Sequence, residues 1–334
     1  MKVAVFLLVP VISFAQSWVP QHSGATASLR GVSAVSKKIA WASGTRGTWL
    51  RTVDGGATWQ SAAVAGAEEL DFRDVHAFSE NIAYLVSIGT GNSSRIYKTI
   101  DGGAHWSLMF TNPDPQGFFD ALAFWDEKNG LVVGDQVDGR IAIFTTADSG
   151  ATWQRQETPP ALPKEGAFAA SGTCLIVRGK RDAWFATGGQ GAARVFHSAD
   201  GGHTWSVATT PVRNDSASAG IFSLAFSDAM HGVAVGGDYT KAEDAMRNIA
   251  ITADGGRTWT APAGAPNGFR SAVAYLADKK LWIATGPSGS DISADGGNTW
   301  QQFDKGNYNA VSFVSSEAGW AVGPRGAVAR FAAR

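Results

Sequence analysis

The chain has 334 residues, with 28 Lys and Arg against 29 Asp and Glu, a formal net charge of −1 at pH 7. With no basic run or stripe to neutralise phosphates, nucleic acid is excluded as the main partner. Its 40 glycines and 13 tryptophans, beside the single Cys174, point to many tight turns and much aromatic packing, with no internal disulfide.

In chain order, the first residues, MKVAVFLLVPVISFAQ, set Lys2 ahead of a short apolar run that ends at Ser13-Phe14-Ala15. That small-x-small site predicts a secretory signal peptide over residues 1–15, a mature start at Gln16 and no membrane span after cleavage. A secreted or periplasmic protein is therefore expected. Cys174, in the apolar segment TCLIV, reads as a buried small hydrophobe rather than a reactive thiol.

One phrase then returns six times: TVDGGATW at 52–59, TIDGGAHW at 99–106, TADSGATW at 146–153, SADGGHTW at 198–205, TADGGRTW at 252–259 and SADGGNTW at 293–300. Its Asp residues, Asp54, Asp101, Asp148, Asp200, Asp254 and Asp295, are 47, 47, 52, 54 and 41 positions apart. So long a period, with one turn signature per unit, indicates an array of small sheets. Each phrase reads as a hairpin turn in which Asp accepts N–H groups of its own turn and Gly supplies positive φ. The Trp (Trp59, Trp106, Trp153, Trp205, Trp259, Trp300) opens the outgoing strand with a large buried surface. A calcium loop would need oxygen ligands at alternating positions, whereas Gly and small residues follow the Asp here, so the six Asp are structural and no metal is expected.

Between phrases run short segments such as LRGVSAVS, IAWASG and GTWLRT, rich in Val, Ile, Phe and Trp and separated by Gly, Asn and Asp. Each unit thus reads as four antiparallel strands, a to d, and four strands repeated radially make a β-propeller. After the sixth phrase the chain supplies strands a, b and c once more, in NYNAVSFVS, GWAVGPRG and AVARF. Ser17-Trp18-Val19-Pro20 matches the segment after each turn and supplies the missing strand d. The fold expected is all-β: one domain over 16–334, a seven-bladed propeller of four-stranded antiparallel blades whose last blade is closed by the N-terminal strand. Trp41, Trp184, Trp282 and Trp320 recur in strand b, and they and the turn tryptophans are expected in the core.

Because strands alternate in direction, the turns carrying the phrase fall on one face, and the d–a and b–c loops on the other, where variable chemistry belongs. The residues expected around the funnel mouth there are Arg30, Arg73, Asp120 and Arg270 from d–a entries, with Asp135, Asp138, Asp238, Tyr239 and Arg325 from b–c loops. Arg in such a place clamps carboxylates or phosphates of a partner, against the alternative that it is solvated or paired with neighbours such as Asp74.

The repeated phrase resembles the Asp-box, or BNR repeat, of sialidases, other glycoside hydrolases and sortilin-type receptors. LRGVSAV…IAWASGTRGTWLRTVDGGATW and NAVSFVSSEAGWAVGPRGAVARF more closely resemble the photosystem II stability/assembly factor-like propellers, and the likeness spans all seven blades. That resemblance implies an extracytoplasmic, non-enzymatic, monomeric scaffold that binds another protein in the cell envelope, with no cofactor. The alternative is a carbohydrate-active enzyme or glycan-binding propeller. Arg30, Arg73 and Arg270 imitate the Arg part of a sialidase site, but they come from repeat-equivalent places, and no Walker, G-x-S-x-G or dinucleotide signature is present.

Overall fold

The computed structural model describes residues 16–333; the signal peptide expected over 1–15 lies outside the described residues. The strands form seven separate antiparallel sheets, with inner strands Leu29–Ala34, Asp71–Ala77, Phe119–Phe124, Leu175–Arg178, Ala219–Phe226, Ala272–Leu276 and Ala310–Ser315 for blades one to seven. Six sheets have four strands. In blade five the outer strand shrinks to one bridge, Ile251 to Thr260, because Pro262 follows at once and has no N–H for the ladder.

Gln16–Gln21 pairs antiparallel with Val328–Ala333 of blade seven, in the register Trp18 to Phe331. Trp18 is 5% exposed, sits edge-on to Phe331 at 5.3 Å and donates its indole N–H to Ser290 Oγ of blade six at 3.0 Å. The ring is therefore closed by an apolar plug as well as by a ladder.

Alternation along each strand sends large side chains into the spaces between blades, where they form separate clusters rather than one central core. The strand-b tryptophans Trp41, Trp184, Trp282 and Trp320 are at most 2% exposed. Among the turn tryptophans, only Trp259 is buried; the other five are half-buried. They act as shields over blade edges, and Trp153, Trp205, Trp259 and Trp300 donate back to the carbonyl of the Gly three residues before them, in their own turn.

Neighbouring inner strands are stitched by side chains as well as by packing. Ser312 Oγ accepts from Ala34 N–H, Ser33 Oγ from Ala77 N–H, Asp74 Oδ2 from Leu122 N–H, and Ser223 Oγ from Val273 N–H, at 2.7 to 3.1 Å. These contacts fix the pitch of the ring around its channel.

Candidate functional site

Four inner strands carry a β-bulge within their first four residues. The register slips between Leu29 and Gly31, Phe72 and Asp74, Phe119 and Ala121, and Ile221 and Ser223. The extra residues are Arg30, Arg73, Asp120 and Phe222, and a bulge re-aims its side chain out of the sheet's alternation, here toward the channel. All four line one cavity of about 720 Å³ at the channel mouth, opposite the repeated turns. Six of the seven blades contribute, from Arg30 in blade one to Asn309 and Pro324 in blade seven, and blade four is represented only by the connection that leads into it, through residues 167–170.

The floor of the cavity is a strap. The connection between blades three and four, residues 156–174, is far longer than the seven residues, 64–70, between blades one and two. Its part 166–173 crosses the ring: Ala169 O accepts from Arg73 of blade two, Phe168 stacks on Phe222 of blade five at 3.9 Å, and Ser171 Oγ donates to Ser271 O of blade six. Gly172 passes so close to Asp74 that a Cβ there would meet Oδ1 at 2.1 Å, and its φ of +77° also excludes other residues. At the strap's start, Glu165 is 2% exposed and holds Leu162 N–H, Thr187 Oγ1 and the Arg194 guanidinium.

Electrostatically the cavity is divided. Arg30 makes no hydrogen bond or ion pair among the described residues, its Nε is buried without a partner, and burial followed by its neighbour Arg73 lowers its pKa. Arg73 is paired with Asp71 at 2.8 Å. Asp120 is 1% exposed, with Oδ2 buried and unpartnered. Burial, then the like charge of Asp135, pushes its carboxyl well above the usual range, against the Ala169 N–H and Arg73. Burial likewise raises Asp135 to about 6, while its Oδ1 accepts from Ala167 N–H at 3.1 Å. Beneath them Asp74 is raised by burial to about 7, and the Cys174 thiol, fully buried, is raised as well.

Of the residues expected at the mouth, Arg30, Arg73, Asp120, Asp135 and Tyr239 line the cavity; Asp138, Asp238, Arg270 and Arg325 do not. Arg270 is fully buried in blade six: Nε donates to Asp291 Oδ2 at 2.6 Å, and the remaining nitrogens bond Phe269 O, Ser288 Oγ and Asn267 O. Blade six has no bulge at this point, so nothing turns Arg270 outward. Asp238 is 2% exposed, accepts from Thr240 and faces the buried Arg213, which Asp215 and Asp244 also hold. Asp138 and Arg325 sit at exposed turn tips with φ of +53° and +55°, each followed by a positive-φ Gly. The aromatic wall of Phe118, Phe168, Phe222 and Phe269 was not anticipated: Phe168 belongs to the strap, and Phe222 reaches the cavity only through its bulge.

On the opposite face the six turns share one hydrogen-bond pattern. In the first, Gly56 N–H donates to Thr52 Oγ1, which itself donates to Asp54 Oδ1, while Thr58 donates its N–H to Oδ1 and its hydroxyl to Oδ2. These bonds, the Thr58 hydroxyl first, hold Asp54 down to about 2. At Asp101 the Thr is replaced by His105, whose Nδ1 lies 2.7 Å from Oδ2. Both carboxylate oxygens are occupied by their own turn.

Fold and site together define a seven-bladed β-propeller with a lined cavity at one end of its channel. No family model and no curated protein matches the chain. Among solved structures, it is similar to YCF48 bound to D1 peptide, with 20% identity and a TM-score of 0.68 over 96% of this chain and 97% of that one. YCF48 from Cyanidioschyzon merolae is similar at 19% identity and TM-score 0.63, over 94% and 98%. The WD40 propeller domain of Doa1 follows at 13% and 0.64, over 95% and 97%. Likeness at these identities establishes the fold, which by itself does not define an activity.

Proposed function

We propose that the protein is an extracytoplasmic, non-enzymatic propeller that holds a segment of a protein partner at the channel mouth, as an assembly scaffold of the cell envelope. The observation that carries this reading is the cavity at the channel mouth, lined from six blades, with an unpaired guanidinium and an aromatic wall, set against an opposite face whose turn carboxylates are met by their own turns. YCF48, similar in fold, has been solved with a D1 peptide bound, which supports a peptide segment as the kind of ligand such a ring accepts. The leader-like residues 1–15 support export, and mass spectrometry of envelope protein tests it: the mature chain should begin at Gln16.

The binding test is site-specific photo-crosslinking in native envelope fractions, with benzoylphenylalanine in place of Tyr239 at the cavity or of Ile100 on the turn face. Both side chains are exposed, at 55% and 70%. A discrete protein adduct from position 239 alone is expected. Adducts of equal yield from both positions, or none from 239, would overturn the reading. In the purified complex, Arg30→Glu should weaken binding of an acidic segment more than Arg257→Glu on the turn face, with the difference shrinking as salt rises.

A further inference from the structure

The cavity holds two kinds of unsatisfied polar group. Arg30 is unpartnered, and its buried Nε lacks an acceptor. Asp120 keeps a buried Oδ2 with no donor, and Asp135 uses only Oδ1, on Ala167 N–H, among the described residues. An unpaired buried polar atom costs free energy, so both sets favour a ligand that meets them. A simple anion would satisfy Arg30 but face two carboxyls; a simple cation would meet the carboxyls but face Arg30 and Arg73. A ligand carrying both charges and neutral overall answers both.

One part of the wall is aromatic. Phe168 and Phe222 stack at 3.9 Å with 7° between their planes, and Phe269 stands edge-on to Phe222 at 4.7 Å. Tyr239 closes the outer side, edge-on to both stacked rings at 6.5 and 6.1 Å. Rings so arranged receive another ring edge-on or offset. The volume of about 720 Å³ is that of a small-molecule pocket.

We propose that this cavity is a binding site for a zwitterionic α-amino acid with an aromatic side chain: its carboxylate on Arg30, its ammonium between Asp120 and Asp135, its ring against Phe168 and Phe222. The inference rests on the cavity being a binding site and adds a small ligand to the protein segment proposed above, which would compete with it for the mouth. Nearby charges are otherwise engaged, Arg73 by Asp71 and by Ala169 O, so Arg30 is the free cation of the site among the described residues.

The test is titration of the purified protein, followed by calorimetry and ligand-observed NMR, with L-phenylalanine, N-acetyl-L-phenylalanine, L-phenylalanine amide and the doubly blocked N-acetyl-L-phenylalanine amide. The free amino acid should bind tightest, each singly blocked form should be roughly tenfold weaker or worse, and the doubly blocked form weakest. Asp135→Asn should lower affinity for L-phenylalanine by about the same factor but spare N-acetyl-L-phenylalanine, which has no ammonium to lose. Arg30→Gln should lower affinity for both of these and spare the amide. Thermal midpoints unchanged from the parent show that each variant is folded. Equal binding of all four compounds, or no saturable binding at millimolar concentration, would overturn the proposal. Tightest binding by the doubly blocked form would also overturn it, while leaving a peptide segment as the ligand. Binding of L-phenylalanine with no crosslinked partner at position 239 would instead leave this site standing and remove the scaffold reading.

Discussion

Arg270→Met is the substitution for which sequence and structure make opposite forecasts. As an exposed funnel residue it should matter little to stability. In the structure both Arg270 and Asp291 have no exposed side-chain surface, and Asp291 would retain only the Asn267 groups as donors once the guanidinium is gone. Stranding one member of a buried pair typically costs about 3–5 kcal/mol. With an unfolding entropy of roughly 2.1 cal/mol/K per residue over about 320 residues, 1 kcal/mol moves the midpoint by about 1.5 °C, so a fall of roughly 5–8 °C is expected. The assay is differential scanning calorimetry of four proteins: parent, Arg270→Met, Asp291→Asn and the double variant. The double variant should regain most of the loss, since no isolated charge remains, and Arg30→Met should stay within about 2 °C of the parent. A single Arg270→Met protein that melts with the parent would refute the argument, as would a double variant no better than the singles.

Stability should peak at about pH 4 and decline on both sides. Asp74 and Asp135, raised to about 7 and about 6, bind their protons more tightly folded than unfolded, so stability falls as pH rises toward 7. Asp54, Asp101 and Asp254, held at about 2, contribute stability above their unfolded pKa that is lost as pH falls through 2. Midpoints measured against pH should show Asp74→Asn flattening only the alkaline descent; a descent unchanged in that variant would remove Asp74 as its cause. Trp18→Ala should cost about 3–5 kcal/mol in chemical denaturation, because it empties the contact with Phe331 and drops the bond to Ser290. A loss below 1 kcal/mol would mean that the ladder alone closes the ring. Asp200→Ala should speed hydrogen exchange at Thr204 N–H while leaving L-phenylalanine binding unchanged; unchanged exchange, or lost binding, would contradict a purely structural turn.

The blade count was legible because each blade announces itself with a turn whose chemistry is local: Thr52, Asp54, Gly56 and Thr58 satisfy one another within seven residues. Closure was legible because Trp18 repeats the position of Trp59. The site was only half legible. Arg30 and Arg270 occupy similar places around the start of their inner strands, yet one faces the cavity and the other is buried, and the difference lies in a bulge and in Asp291, neither written beside them. The wide spacing between Asp148 and Asp200 held the extra residues of the strap, but their path across the channel depends on Arg73, Phe222 and Ser271, each on another blade.

The pairing of Gln16–Gln21 with Val328–Ala333 sets an order of events for the newborn chain. Each other blade joins strands that are near in sequence and can form as soon as its own segment is available. Blade seven cannot: its outer strand is synthesised ahead of all the others and stays unpaired until residue 333 has emerged. Contacts of such sequence separation are slow to form, and an unpaired strand is a template for pairing with a second molecule. During folding, therefore, Gln16–Gln21 is the strand longest open to pairing with a second molecule, and its capture by Val328–Ala333 is the step that closes the ring.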